Sequence, residues 1–183
     1  MTSGTALLLI DLQVGLLAGE RPVFEAAAVL DRCAALAARA RASGVPVVYV
    51  QDKDVGDGVG TPGWEIHPAV APAPGDLVLR KAWADSFYET ALRDELAARG
   101  ITRLVIAGLK SDACVFMTST RAIALGYDVA LAADAHSTTD NHIISAGQAR
   151  DYITALLEGI GAEDGFGEGR HSISVAPAAE IAL

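Results

Sequence analysis

Cysteine is scarce in this chain, with only Cys33 and Cys114 among 183 residues. Two cysteines exclude a disulfide framework and fit a reducing compartment, so the expected location is cytoplasmic. Basic side chains are also short: 14 Lys and Arg stand against 23 Asp and Glu, a formal net charge of −9. A duplex nucleic-acid binder needs a basic stripe to neutralise phosphates, so nucleic acid is not an expected partner. Long apolar runs are missing too. The run 6–10 stops at Asp11, far below the ~20 residues of a membrane span, and the Ala-rich stretch 26–42 is interrupted by Asp31, Arg32, Arg39 and Arg41. Residues 1–5 lack the basic start and apolar stretch of a signal peptide, so neither an address nor a membrane contact is expected.

What is plentiful is aliphatic. Half of the chain (51%) is hydrophobic and 20% is charged, which excludes intrinsic disorder. The length suits one domain over residues 1–183, able to bury roughly 70% of its unfolded surface. Short apolar runs at 6–10, 45–50, 76–79, 103–107, 127–132 and 172–175 are bounded by turn residues. Continuous rather than alternating runs suit strands covered on both faces. Between them, helical spacing predicts helices over 24–42, stopped by Ser43-Gly44, and over 88–99, 114–125 and 143–157. Strand and helix alternation with glycine punctuation predicts an α/β fold, a layered domain around a mostly parallel sheet. Two stretches fall outside the alternation. Residues 52–74 are rich in Gly and Pro and long enough to be a binding loop. Residues 163–169, with three glycines and three acids, are expected to be mobile.

In open α/β sheets, ligands bind outside the carboxyl ends of the strands. Asp11 ends the first run, Asp52 the second, and Lys81 follows the third. Gly108-Leu-Lys-Ser-Asp-Ala-Cys114 links the fourth to its helix, and Asp134 and His136 follow the fifth. Singly, each has a plain reading: a solvated strand end, a small buried hydrophobe for Cys114, a surface amine for Lys81. Jointly they bring an acid, an amine and a thiol to one rim. A thiol at a helix start has its thiolate favoured by unpaired N–H groups. A nearby carboxylate can take its proton, and an ammonium keeps that carboxylate ionised.

These residues carry a resemblance. The chain is similar to the isochorismatase-like cysteine hydrolases, the group that also holds nicotinamidases and N-carbamoylsarcosine amidase. The matching segments are Leu7-Leu-Leu-Ile-Asp-Leu-Gln13, Gly60-Thr-Pro-Gly-Trp-Glu-Ile-His-Pro68, Arg80-Lys-Ala-Trp-Ala-Asp-Ser-Phe87, Ala107-Gly-Leu-Lys-Ser-Asp-Ala-Cys-Val115 and, after Ala124-Leu-Gly-Tyr-Asp-Val, Ala133-Asp-Ala-His-Ser-Thr138. Any one is weak; their ordered set is specific.

The resemblance implies a three-layer α/β/α fold with a six-stranded, mainly parallel sheet. It implies Asp11 as catalytic acid and base, Lys81 as catalytic lysine and Cys114 as nucleophile. A cis peptide at Leu109–Lys110 is implied, with the backbone N–H groups of Lys110 and Cys114 as an oxyanion hole. The implied reaction is cleavage of a C–N bond in a small amide, lactam or ureido compound through a thioester. Vinyl-ether hydrolysis and a catalytically silent binding module are the alternatives. The implied partners are a small-molecule substrate and further copies of the chain, as a dimer or larger homo-oligomer.

The small members that include streptothricin hydrolase resemble the chain most. They tend to carry Gln where this chain has Lys110, and a His-His-Asn-like patch where it has residues 152–154. Nicotinamidases place an Asp and several His after the second strand; here Asp52 stands there without a histidine before His67. Borderline metals prefer imidazole or thiolate, so no metal and no cofactor is expected, and His67 is assigned to hydrogen bonding within its loop. Gln13, Trp83 and Phe87 are placed in substrate binding, with packing under the long loop as the competing reading for the two aromatics. His136 is read as a structural hydrogen-bonding group or a second acid and base.

Overall fold

A computed structural model describes residues 4–161 and 170–183; the segment 163–169 lies outside the described residues. Six strands form one sheet: β1 (Gly4–Ile10), β2 (Val47–Asp52), β3 (Leu77–Lys81), β4 (Ile101–Leu109), β5 (Asp128–Ser137) and β6 (Ile173–Ala176). Their order is β3-β2-β1-β4-β5-β6, and every neighbouring pair is parallel. The helices are α1 (Val14–Leu17), α2 (Ala26–Ala42), α3 (Leu92–Ala98), α4 (Phe116–Ala124) and α5 (Ala146–Glu158).

The apolar runs do what a doubly covered strand requires. Along β1, Leu7 and Leu9 enter one core with Val29, Cys33 and Leu36 of α2. Ala6, Leu8 and Ile10 enter the other, with Leu92, Leu96, Ala122, Ile153 and Leu157 of α3, α4 and α5. Both faces of the strand are dry, which is why period-two alternation is missing from its sequence. Each fully buried Leu contributes roughly 1.5–3 kcal/mol by leaving water. Cys33 is buried in the first core, where desolvation pushes its thiol up to about 12.

Element boundaries moved where local chemistry outweighed periodicity. Helix α3 begins at Leu92 rather than in the region of Tyr88, because Thr90 Oγ1 accepts from Leu92 N and Asp85 Oδ1 from Phe87 N, holding 85–90 in turns. Strand β5 runs to Ser137, with a register irregularity opposite Ile106 and Gly108. Asp134 and His136 therefore lie inside β5, not beyond it. Asp134 faces α2, paired with Arg32 at 3.1 Å.

The strand order reverses between β1 and β4, and the carboxyl ends at such a switch point open a crevice. Gly108 makes the approach of these strands possible. Its φ is +122°, and a Cβ there would lie 2.1 Å from the Ile10 carbonyl oxygen.

Candidate active site

Three elements deliver the cluster. Asp11 follows β1 directly, in the left-handed region at φ +52°, a conformation that costs a non-glycine residue of order 1–3 kcal/mol and is found at functional sites. Lys81 ends the edge strand β3. Cys114 sits in the π-helical turn Ser111–Val115, which runs into α4, and the preceding Leu109–Lys110 bond is cis.

The Lys81 ammonium joins them. It lies 2.8 Å from Asp11 Oδ2 and 2.7 Å from Asp52 Oδ2, and it donates to Cys114 Sγ at 3.2 Å. Burial alone would lower the Lys81 pKa, but Asp11 and Cys114 hold it well above the ordinary lysine range. Burial pushes the Asp11 carboxyl up to about 6 against the opposing pull of Lys81. Asp11 Oδ1 is buried without a hydrogen-bond partner among the described residues.

The thiol corrects one expectation. Helix-start amides were expected to favour a thiolate, yet burial, reinforced by Asp11, pushes Cys114 up to about 12. Burial thus favours the neutral thiol over the thiolate.

Asp11, Asp52 and Cys114 bring three possible metal-ligand atoms within 4.8 Å of one another. The donor set does not fit a borderline divalent metal. It contains no imidazole, and the Lys81 ammonium already contacts an atom of each residue. His67 is engaged elsewhere, its Nδ1 accepting from Ala69 N at the 3₁₀ turn Pro68–Val70.

A cavity of about 260 Å³ opens on the thiol, lined by Asp11, Leu16, Asp52, Val55, Lys110 and Cys114 among others. Lys110 thus borders it, its Nζ donating to Thr139 Oγ1 at 3.3 Å.

Two of the expected substrate-binding residues are turned into the protein. Gln13 is fully buried and its amide is used internally: Nε2 donates to the Asp52 and Trp64 carbonyls at 3.0 and 2.8 Å, and Oε1 accepts from Asp52 N at 2.9 Å. It braces the long loop against β2. Phe87 is 8% exposed and stacks on Tyr127 in the second core, centroids 5.7 Å apart. Trp83 is exposed and borders a separate cavity, lined also by Lys53, Val59, Arg80, Lys81 and Tyr88.

Sequence reasoning underweighted two groups. Asp52 was visible at a strand end on the rim, but without a role; its place as second counter-ion of Lys81 depends on β2–β3 register, which pairs Asp52 with Lys81. The contact of Ser111 with His136, 25 residues away, had no local signal.

The Isochorismatase domain family matches residues 5–156. A streptothricin hydrolase of Streptomyces noursei is 40% identical over 166 residues, covering 89% of this chain. The chain spans only 59% of that relative's length. Among solved structures, an isochorismatase from Pseudomonas putida KT2440 superposes with a TM-score of 0.85 at 26% identity, covering 97% of this chain and 90% of that one. N-carbamoylsarcosine amidase from Thermoplasma acidophilum gives a TM-score of 0.77 at 26% identity, covering 97% and 98%. With the switch-point crevice, the parallel six-stranded sheet and the family match over most of its length, the chain belongs to the isochorismatase family.

Proposed function

We propose that the chain is a cysteine hydrolase that cleaves a C–N bond of a small amide, lactam or ureido compound through a thioester. The observation that carries this reading is the triad itself. Asp11 Oδ2 and the Cys114 sulfur share one ammonium, while Asp11 Oδ1 is buried and unpartnered beside them. The streptothricin hydrolase and N-carbamoylsarcosine amidase among its relatives favour C–N bonds.

The steps follow from the proton inventory. Asp11, ionised above about pH 6, takes the thiol proton as sulfur attacks the substrate carbonyl carbon. The carbonyl π electrons move to oxygen, and the backbone N–H groups of Lys110 and Cys114 are the proposed donors to that oxyanion. The tetrahedral centre collapses, the C–N bond breaks, and protonated Asp11 gives its proton to the leaving nitrogen. Water then attacks the thioester, losing a proton to Asp11, which passes it to the departing sulfur. Lys81 steadies the charge shared between carboxylate and sulfur throughout.

A panel of small amides, lactams and ureido compounds, assayed for amine or ammonia release with wild type and Cys114→Ala, tests the proposal. Turnover by wild type alone supports it; equal turnover by both overturns it. Pyruvate release from isochorismate with no amine release would instead favour vinyl-ether hydrolysis.

A further inference from the structure

The start of the nucleophile turn is tied by side chains to a single short stretch at the end of β5. Lys110 Nζ donates to Thr139 Oγ1 at 3.3 Å, and Thr138 Oγ1 donates to Asp112 Oδ1 at 2.6 Å. Between these, Ser111 Oγ lies 2.8 Å from His136 Nδ1. Ser111 and His136 are both fully buried. The other ring nitrogen, Nε2, lies 3.1 Å from Thr154 Oγ1 on α5.

The hydrogens in this chain can be assigned by counting. Thr154 has one hydroxyl proton, and it goes to the Arg150 carbonyl at 2.8 Å. The Thr154 oxygen can therefore only accept from His136, so Nε2 carries the ring proton. Nδ1 is then an acceptor, and the Ser111 hydroxyl donates to it. A dry environment suits the neutral ring: burial, with Arg150 adding to it, pushes His136 down to about 4. The result is a directed chain, Ser111 to His136 to Thr154 to Arg150, that runs from the turn through β5 into α5.

We infer that His136 is a positioning residue, whose Nε2–H tautomer, fixed by Thr154, holds the Ser111 hydroxyl and through it the turn that carries Cys114. Within the turn, Ala113 N and Val115 N share the Lys110 carbonyl, and the Ser111 side chain adds the tie to β5. Misplacing a nucleophile by about 1 Å can cost on the order of a hundredfold in rate. The inference rests on Cys114 being the nucleophile.

Two isosteric replacements separate the nitrogens. Asparagine places an amide group where Nδ1 stands and can still accept from Ser111. Glutamine places one where Nε2 stands and keeps only the Thr154 side. The readout is the alkylation rate of Cys114 by iodoacetamide, followed on the Cys114 peptide by mass spectrometry, beside the melting temperature of each variant. His136→Gln is expected to slow alkylation by about tenfold or more, with His136→Asn recovering most of that rate at a similar melting temperature. Equal rates for the two variants, or rates that simply follow stability, would overturn the inference. Should His136→Gln fail to fold, Ser111→Ala against Ser111→Thr makes the same comparison from the other end: the hydroxyl of threonine restores the rate, and equal rates overturn the inference. Failure of the underlying reading shows separately, as hydrolysis that survives Cys114→Ala.

Discussion

Lys81 donates to the sulfur of Cys114 at 3.2 Å while it is already shared by two carboxylates. An ammonium so placed lowers the cost of charge on either the acid or the sulfur, so negative charge can move between them within one electrostatic cage. The Lys81 side chain itself is fully buried, so its charge is met by these three groups.

Removing the cation therefore leaves two carboxylates facing each other without a partner. Lys81→Met is expected to destabilise the fold by about 3–5 kcal/mol, the usual cost of breaking a buried ion pair from one side. Urea denaturation checks the loss. Alkylation of Cys114 should slow at the same time, because the Asp11 pKa rises further and less of the base is ionised at neutral pH. A variant as stable as wild type would contradict the geometry.

The Asp11 carboxyl, raised to about 6 by burial, sets the acid limb. In the base role proposed for Asp11, it is protonated below that pH and cannot accept the thiol proton; above it the carboxylate is available. Rates of hydrolysis and of Cys114 alkylation should fall tenfold per pH unit on the acid side, bending near pH 6. Asp11→Asn removes the bend and costs about 10²–10⁴-fold, the range of a lost general base. A pH–rate series from 4.5 to 8.5 on both proteins measures it.

His136 also links pH to stability. Its folded pKa of about 4 lies below the unfolded value near 6.5, so the unfolded chain binds more protons between those values. Stability is held above about pH 6.5 and falls as pH drops toward 4, by about 3 kcal/mol from this residue. His136→Asn should lose that part of the slope. Arg150 deepens the effect, while Asp134 and Asp151 oppose it. Chemical denaturation at pH 4.5 and 7 on both proteins gives the difference directly.

Gly108→Ala addresses the switch point itself. A Cβ would meet the Ile10 backbone at 2.1 Å and the residue holds φ +122°, so both sterics and conformation oppose it. A loss above 4 kcal/mol is expected, read as a shift in the urea midpoint or as absence of soluble protein.

Much of this was legible in the chain. Continuous runs such as 6–10 announced strands buried on both faces, and Asp11, Lys81 and Cys114 could be placed on one rim by the rule for parallel sheets alone. The order β3-β2-β1-β4-β5-β6 was not legible, because periodicity reports burial and not neighbours. Gln13 and Phe87 misled for a common reason. Both stand in segments next to site residues, yet the pleat and the turns point them inward, into hydrogen bonds for one and a stack on Tyr127 for the other. The thiol's protonation also escaped the sequence. Burial outweighs the favourable amides near a helix start, and depth is a property of the packed molecule.

Lys81 also comes from the outermost strand. Among the described residues β3 has one neighbour, β2, and Val78 and Arg80 on one of its faces are exposed. Sheet margins open more readily than centres, so the cage that governs the sulfur is anchored at one of the two margins of the sheet. Detachment of that margin would withdraw the cation while β1 and β4 stay paired. In a denaturant titration, the reactive state of Cys114 should therefore vanish before the circular dichroism of the sheet changes, and the molecule would pass through a well-structured, chemically silent form.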